Sequence, residues 1–460
     1  MRIDHLTVRN FKGFEERLFS FLRAPDTDES GRLREEVDPE KQGSFHLLIG
    51  ENGSGKSTAL DALAVALGVW HVARPTAGWR AIRKEEARLV PRRDGDTVRF
   101  EASPSPSISA EGIIGNRAVK WTRMNKGTSG RTTNKEAQEA VDVISGLLEQ
   151  SRRQDVAVTL PVLACYGAGR AWLPAKARLS NFELKLNRVS RFDAYYYCLE
   201  GSIRDQELQQ WFLFEAVEAA QRGTKRDGAM AVEEAVLRCV PGATSLRFDA
   251  DRKEIVIGLT GGEMPFYSLS DGQRTLFSLV ADIAIKAAVL NPHLGRDSAR
   301  RSPGVVLIDE LDLHLHPKWQ RRVVENLRQA FPNLQFICTT HSPFVVQTLR
   351  EGELIPMDAQ PVPETGNLTI EEIARGLMGV KRTDVSPRYE EMKQAARDYL
   401  TTLEEAARAP ADKLAEYERR LSEGIGPYAD NPAFQAFLEL KREAKLGGTN
   451  GTRGNTGTIA

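Results

Sequence analysis

Gly50-Glu51-Asn52-Gly53-Ser54-Gly55-Lys56-Ser57 is the stretch whose reading decides the fold. It fits the pattern G-x-x-x-x-G-K-[S/T]. An apolar run, Phe45 to Ile49, stands directly before it, and behind it Leu60, Leu63, Ala64 and Leu67 recur at helical spacing. Strand, glycine-rich turn and helix, in that order, are the setting such a loop requires. The glycines let consecutive backbone N–H groups converge on phosphate oxygens, and the helix N-terminus adds its donors and dipole. Lys56 is then placed to reach the outer phosphates, and the Ser57 hydroxyl to ligate Mg²⁺. A chance glycine turn accounts for the eight residues but not for the strand and helix around them. The candidate contacts of a nucleoside triphosphate are Gly50, Asn52, Gly53, Ser54, Gly55, Lys56, Ser57 and Thr58.

The second half supplies what such a loop needs for hydrolysis. Val305-Val306-Leu307-Ile308-Asp309-Glu310 is an apolar strand ending in two acids. The first, Asp309, is expected beside Mg²⁺, and the second, Glu310, is expected to polarise the attacking water. Leu269-Ser270-Asp271-Gly272-Gln273-Arg274 precedes a strongly apolar helical run, Leu276 to Val289. Alone it fits an ordinary helix start equally well. His341 follows the apolar strand Phe336–Thr339. His314 and His316 alternate in Asp312-Leu313-His314-Leu315-His316-Pro317 and share a face of an extended stretch. With the Mg²⁺ ligands already assigned, their expected role is structural.

In this order, with Ser270 39 residues before Asp309 and His341 32 residues after it, the segments resemble the motifs of ABC-type ATPases. The resemblance implies ATP as the nucleotide. It also implies that Ser270, Gly272 and Gln273 cap the γ-phosphate held by a partner subunit in a homodimer. His341 then stands as the switch histidine, and Asp312–Pro317 occupies the place of the dimer-contacting D-loop. Lys56 and Ser270 are 214 residues apart, too wide for a typical transporter cassette and too narrow for long coiled-coil arms. No sustained heptads appear. The opening Ile3-Asp4-His5-Leu6-Thr7-Val8-Arg9-Asn10-Phe11-Lys12-Gly13-Phe14 resembles the first hairpin of RecF-like and overcoming-lysogenisation-defect ATPases, a likeness running to about residue 350. Leu163–Arg170 (L-A-C-Y-G-A-G-R), Leu269–Ala284 and Ile308–Pro317 are similar to the PtuA-type ATPase subunit of Septu and related retron anti-phage systems. Such subunits work beside a separately encoded HNH nuclease. No Q-loop glutamine is recognisable in the first lobe, and Tyr166–Arg170 stands at its place.

The expected fold is therefore α/β: a P-loop ABC-type ATPase head with a mixed central sheet over residues 1–360, carrying an insert at about 70–190. A helical carboxy-terminal module is expected over 371–446, and a disordered tail over 447–460. Period-two patterning predicts two strands around Lys12–Gly13, and another pair around Asp249–Arg252. Leu208, Trp211, Phe212 and Phe214 mark a helix over 203–222, and helices and strands are expected at 318–330 and 335–339. Residues 24–42 read as a polar loop. Beyond Glu364, apolar residues recur at helical spacing in three segments: Met392, Tyr399, Leu400 and Leu403; Leu414, Tyr417 and Leu421; Phe434, Phe437 and Leu438. Asn431-Pro432 is a cap and first turn for the last.

Composition is that of an ordinary globular chain, 41% hydrophobic and 27% charged, with zero formal net charge. No global pull toward nucleic acid or membrane follows. From Trp70 to Ser190, however, 21 Lys and Arg stand against 12 Asp and Glu, an excess of nine. That stretch is either a solvated surface or a face for a polyanion such as duplex DNA. The four cysteines form no CxxC pair, no run approaches the ~20 apolar residues of a membrane span, and no signal peptide is apparent. A cytoplasmic setting is expected. The stretch after His341 lacks acidic strand ends, so any nuclease activity is expected from a partner. Three functions compete: an ATP-hydrolysing regulatory subunit of a defence complex, a RecF-like repair ATPase on duplex DNA, and a nucleotide-locked scaffold with little turnover.

Overall fold

The computed structural model describes residues 1–22, 43–75, 80–94, 96–125, 132–153, 157–171, 190–358, 365–379, 387–408 and 432–446, with 413, 416, 417, 419 and 420. The polar stretch at 24–42 and the tail at 447–460 fall wholly outside them. The chain divides into two compact units, Met1–Gly379 and Val380–Ala460.

The alternation at the amino end folds as β1 (Arg2–Phe11) and β2 (Phe14–Ser20), antiparallel across Lys12–Gly13. Ile3, Leu6, Val8 and Phe11 of β1 are fully buried. β3 (Ser44–Ile49) leads to the phosphate loop. β4 (Leu89–Asp94) and β5 (Thr97–Ala102) form a separate two-stranded ribbon. β6 (Ser107–Ile114), β7 (Arg117–Asn125) and the short β8 (Thr132–Thr133) join the first sheet, in the order β2-β1-β6-β7-β8. β9 (Val162–Tyr166) belongs instead to a second sheet, while β10 (Ala243–Asp249), β11 (Glu254–Leu259) and β12 (Gly262–Pro265) make a third. With β13 (Gly304–Ile308), β14 (Leu334–Thr339) and β15 (Leu354–Pro356), the second sheet runs β15-β3-β14-β13-β9, parallel throughout. Val305–Ile308 and Phe336–Cys338 are buried on both faces, which is why they read as continuous apolar runs.

The helix Lys56–Leu67 is the middle layer of this architecture. It packs on β13 and β14 on one side and on β1, β6 and β7 on the other. Residues Ala59, Leu60 and Ala62 to Leu67 are accordingly buried around its whole circumference. Burial of Leu60, Leu63, Val65 and Leu67 contributes about 1.5–3 kcal/mol each. Its carboxy end is fastened to the first sheet. Trp121 Nε1 donates to Ala66 O at 3.0 Å, and the buried Arg123 donates to Val65 O and Arg80 O at 2.5 and 2.6 Å. A cation against the last carbonyls suits the helix dipole.

Residues 70–190, read above as an insert, supply β6 and β7 to the first sheet and β9 to the second. Their order is set by pairing with β1 and β13, which are remote in sequence and leave no local signature. The helix Asp227–Cys239 was likewise not read from the sequence. In the helix Asp205–Arg222 the buried stripe is Leu208, Gln209, Phe212 and Glu215. Phe214 lies off that stripe, with the Arg226 guanidinium over its ring.

The helix Ile370–Gly376, expected in the carboxy-terminal module, belongs to the first unit, where Ile373 is fully buried. In the second unit the helices Pro387–Ala406 and Pro432–Leu446 pack through Tyr399, Leu403 and Leu438. Of the expected stripe, Leu438 is buried and Phe437 is 48% exposed, while the Phe434 side chain lies outside the described ones. Leu414, Leu421 and Asn431 lie outside the described residues.

Candidate nucleotide site

Three parallel strands end side by side at one rim. β3 runs into Gly50–Gly55, β14 into Thr340-His341, and β13 into Asp309-Glu310. The carboxyl rim of an open parallel sheet is where such folds take their ligands. Gly55, the residue before the helix, has φ 97°, and a Cβ there would sit 2.5 Å from the Phe14 ring. No other residue type fits that corner. Lys56 curls back over the loop, its Nζ donating to Gly50 O at 2.8 Å and Glu51 O at 3.0 Å. Burial lowers its pKa, opposed by the negative charges of Asp309, Asp358 and Glu310. The order β3-β14-β13 sets the loop lysine and the acid pair at the same rim. Asn52, Gly53 and Ser57 are exposed at the same rim, and Ser54, Gly55 and Thr58 are half-buried.

The acid pair is fixed by a residue the sequence reading passed over. Thr339, fully buried at the end of β14, donates its hydroxyl to Asp309 Oδ1 at 2.6 Å and accepts the Glu310 N–H at 2.7 Å. Asp309 N–H donates to Tyr166 O at 2.8 Å, and Leu311 N–H donates to Thr339 O at 2.8 Å. Glu310 itself takes φ 51°, a left-handed conformation uncommon outside glycine. The Tyr166–Arg170 turn, placed above at the Q-loop position, follows β9 and lies against the end of β13, with the Arg170 guanidinium on its backbone carbonyls. Asp358 also escaped notice, because the strand before it spans only three residues.

The donors present suit Mg²⁺. A hydroxyl, Ser57, and one carboxylate, Asp309, are the sparse hard-oxygen set that Mg²⁺ takes when it keeps waters and phosphate oxygens. Thr339 occupies one oxygen of Asp309 and leaves the other for a ligand. Among the described residues, no group of three or more His, Cys, Asp and Glu side chains forms an all-protein metal cage.

The turn Ser270–Gln273 begins the helix Asp271–Leu290 with a reciprocal cap. Ser270 Oγ accepts the Gln273 N–H at 3.4 Å, and Gln273 Oε1 accepts from Ser270 N and Oγ at 3.3 and 2.9 Å. A Cβ on Gly272 would stand 2.4 Å from His314 O. The two backbones touch only because that side chain is absent. No hydrogen bond links this turn to the phosphate loop among the described residues. It is joined instead to the Asp312–His316 turn, which is tied in its own right to the His341 segment. Asp312 Oδ1 accepts from Thr340 Oγ1 at 2.5 Å and from His341 N–H at 3.3 Å. Ser342 Oγ donates to Gln320 Oε1 at 2.7 Å, and Gln320 Nε2 donates to Leu315 O at 2.8 Å. The His341 side chain is exposed. His316 Nδ1 accepts the Lys318 N–H at 3.2 Å and caps the helix Pro317–Ala330.

Comparison with known proteins bears on this geometry. Residues 5–226 match an AAA domain family, and residues 217–347 match a family described as AAA domain, putative AbiEii toxin, Type IV TA system. The chain is 48% identical over 94 residues to the retron Vc95 probable ATPase of Vibrio cholerae serotype O1 biovar El Tor, which covers 20% of this chain and 18% of that protein. It is 23% identical over 409 residues to the retron Ec83 probable ATPase of Escherichia coli, covering 76% of this chain and 70% of that protein. Septu protein PtuA of Bacillus thuringiensis is 34% identical over 160 residues, 32% of this chain and 40% of that protein. A solved SMC head bound to the C-winged helix domain of ScpA aligns over 77% of this chain and 93% of its own at 16% identity, with a TM-score of 0.44, too loose a likeness to carry an argument. With AAA matches from residue 5 to 347 enclosing the phosphate loop, the acid pair and the histidine turn, the chain is an AAA-type P-loop protein related to the retron and Septu PtuA ATPases.

Proposed function

We propose that this chain is an ATP-binding and ATP-hydrolysing regulatory subunit of an anti-phage defence complex, which dimerises around ATP and controls a separately encoded nuclease. The observation that carries the reading is the meeting of Lys56, Asp309, Glu310 and Thr339 at one rim of the parallel sheet. Backbone N–H groups of Gly50–Thr58 bind the phosphates, and Lys56 leaves its loop carbonyls for the outer ones. Asp309 and Ser57 hold Mg²⁺, which when bound offsets the charge that develops on the phosphates. Glu310 orients the attacking water and accepts its proton. Ser270, Gly272 and Gln273 serve the site of a second copy, the role that their place in the ABC-type motif order implies. The Asp312–Thr340–His341 bonds give a route from that interface to the γ-phosphate.

The defence setting is supported by the retron and Septu relatives named above. Glu310→Gln tests the hydrolytic reading. The amide keeps the reach of the carboxylate but accepts no proton, so ATP binding should persist while turnover falls about 100-fold or more. Hydrolysis at the parental rate would remove Glu310 from the mechanism. Nuclease control is tested by copurification with, and ATP-dependent cleavage by, an HNH protein encoded beside this chain. Tight, salt-sensitive binding of duplex DNA by the isolated chain would favour the repair alternative instead.

A further inference from the structure

Arg170 is buried at 2% exposure, and among the described residues no carboxylate pairs with its guanidinium. Among these residues its bonded donors meet backbone carbonyls, Nη1 those of Gly167 at 3.1 Å and of Asp309, and Nη2 that of Glu310 at 2.6 Å, while Nε is buried without a hydrogen-bond partner. A buried cation is costly unless its donors are used, and here two of the three acceptors are the peptides of the acid pair. The planar fork of arginine matches that task, because two neighbouring carbonyls fall within one guanidinium edge.

The acid turn needs such a hold. Glu310 has φ 51°, and a non-glycine residue persists in that region only when its surroundings over-determine it. Bonds from the other side come from Thr339, whose hydroxyl accepts Glu310 N–H and whose carbonyl accepts Leu311 N–H. Arg170 therefore supplies the donors and Thr339 the acceptors of one two-sided clamp. The turn bearing Arg170 is anchored in turn, with Gly167 N–H donating to Gly201 O at 2.8 Å.

We infer that Arg170 is a positioning residue for hydrolysis, holding the Asp309-Glu310 peptide so that the Glu310 carboxylate meets the water, with no part in binding the nucleotide. The inference rests on the ATPase reading above, and it separates turnover from affinity. Arg170→Met keeps the length and burial of the side chain and removes every donor. Arg170→Lys keeps the charge but not the fork. In the full-length chain, Arg170→Met should lower kcat about 10- to 100-fold with the Kd for ATP unchanged within about threefold, and Arg170→Lys should fall between it and the parent. Combined with Glu310→Gln, Arg170→Met should add almost no further loss, as expected when both act through one group.

Hydrogen exchange supplies a readout that does not need activity. The amides of Glu310 and Leu311 should exchange faster in Arg170→Met and in Arg170→Lys, while those of Lys56–Leu67 stay protected. A folded Arg170→Met with parental kcat, or one whose loss lies in Kd, overturns the inference. If Arg170→Met does not fold, a folded Arg170→Lys with parental kcat and parental exchange at Glu310 overturns it equally. A parent chain that binds but never hydrolyses ATP would sink the ATPase reading instead, and the exchange data would still judge the clamp.

Discussion

Lys56 shows how one side chain can hold a loop together and still face the acids across the sheet rim. Its ammonium is satisfied by Gly50 O and Glu51 O, and these two bonds tie the loop to its own lysine. Burial disfavours its charge, and Asp309, Asp358 and Glu310 restore part of it. Lys56→Ala removes the cation from this site and leaves two loop carbonyls facing water. ATP affinity should fall at least about 100-fold, because a charge-assisted contact to phosphate is lost in a partly buried site. Titration with a fluorescent ATP analogue measures this, and an affinity within a few-fold of the parent would contradict it. Folding should survive, since the apolar face of the helix Lys56–Leu67 is untouched. Thr339 illustrates why some residues of the candidate site were not legible. A threonine ending a buried strand is ordinary, and only the pairing of β14 with β13 brings its hydroxyl to Asp309 and Glu310.

At the scale of elements, the helix Asp271–Leu290 and the turn Asp312–His316 behave as one piece, because Gly272 lets the helix start rest on His314 O. A second copy that docked on this piece would press on both. Ser270→Arg places a long cation there and removes the helix cap, at a cost of about 1 kcal/mol. Each protomer should still bind ATP through its own loop, while hydrolysis should be lost. Mixing this variant with a Lys56→Ala subunit makes one composite site with both defects and one with neither. Partial recovery of hydrolysis in the mixture is the expected outcome, and a Ser270→Ala control separates loss of the cap from the block. No recovery at any mixing ratio would place the whole site within one chain. Gln273 and Ser270 read equally well as a helix start, and the structure shows that they are one. The capping role and the proposed trans role use the same groups.

For the whole molecule, the boundary between the two units sets where the chain can be cut. Truncation after about Ile370 would strip away Ile373, fully buried, along with the packing of Leu377 and Met378. Burial of one such isoleucine is worth about 1.5–3 kcal/mol, so that truncation should lower Tm. Ending the chain at Gly379 should instead leave an ATPase with parental Tm and nucleotide affinity. If the helices Pro387–Ala406 and Pro432–Leu446 dock the nuclease or a neighbouring dimer, the 1–379 chain will no longer copurify with that partner. Undiminished copurification would move the docking surface into the first unit.

By itself the sequence determined the parts whose chemistry is local. The phosphate loop, the acid-ended strand, the helix start at Ser270, the amino-terminal hairpin and the order of these pieces were all legible, because each is written in consecutive residues with a fixed period or a required residue type. The tertiary structure decided what depends on residues far apart. It drew 107–125 and 162–166 into two different sheets, where the sequence showed an insert. It brought Thr339 and Arg170 to the acid pair and set Asp358 near Lys56, and it moved the end of the first unit past Ile373. Strand partners, and the side chains that become neighbours at a sheet rim, follow from how buried surfaces close over one another. No single stretch of sequence encodes that closure.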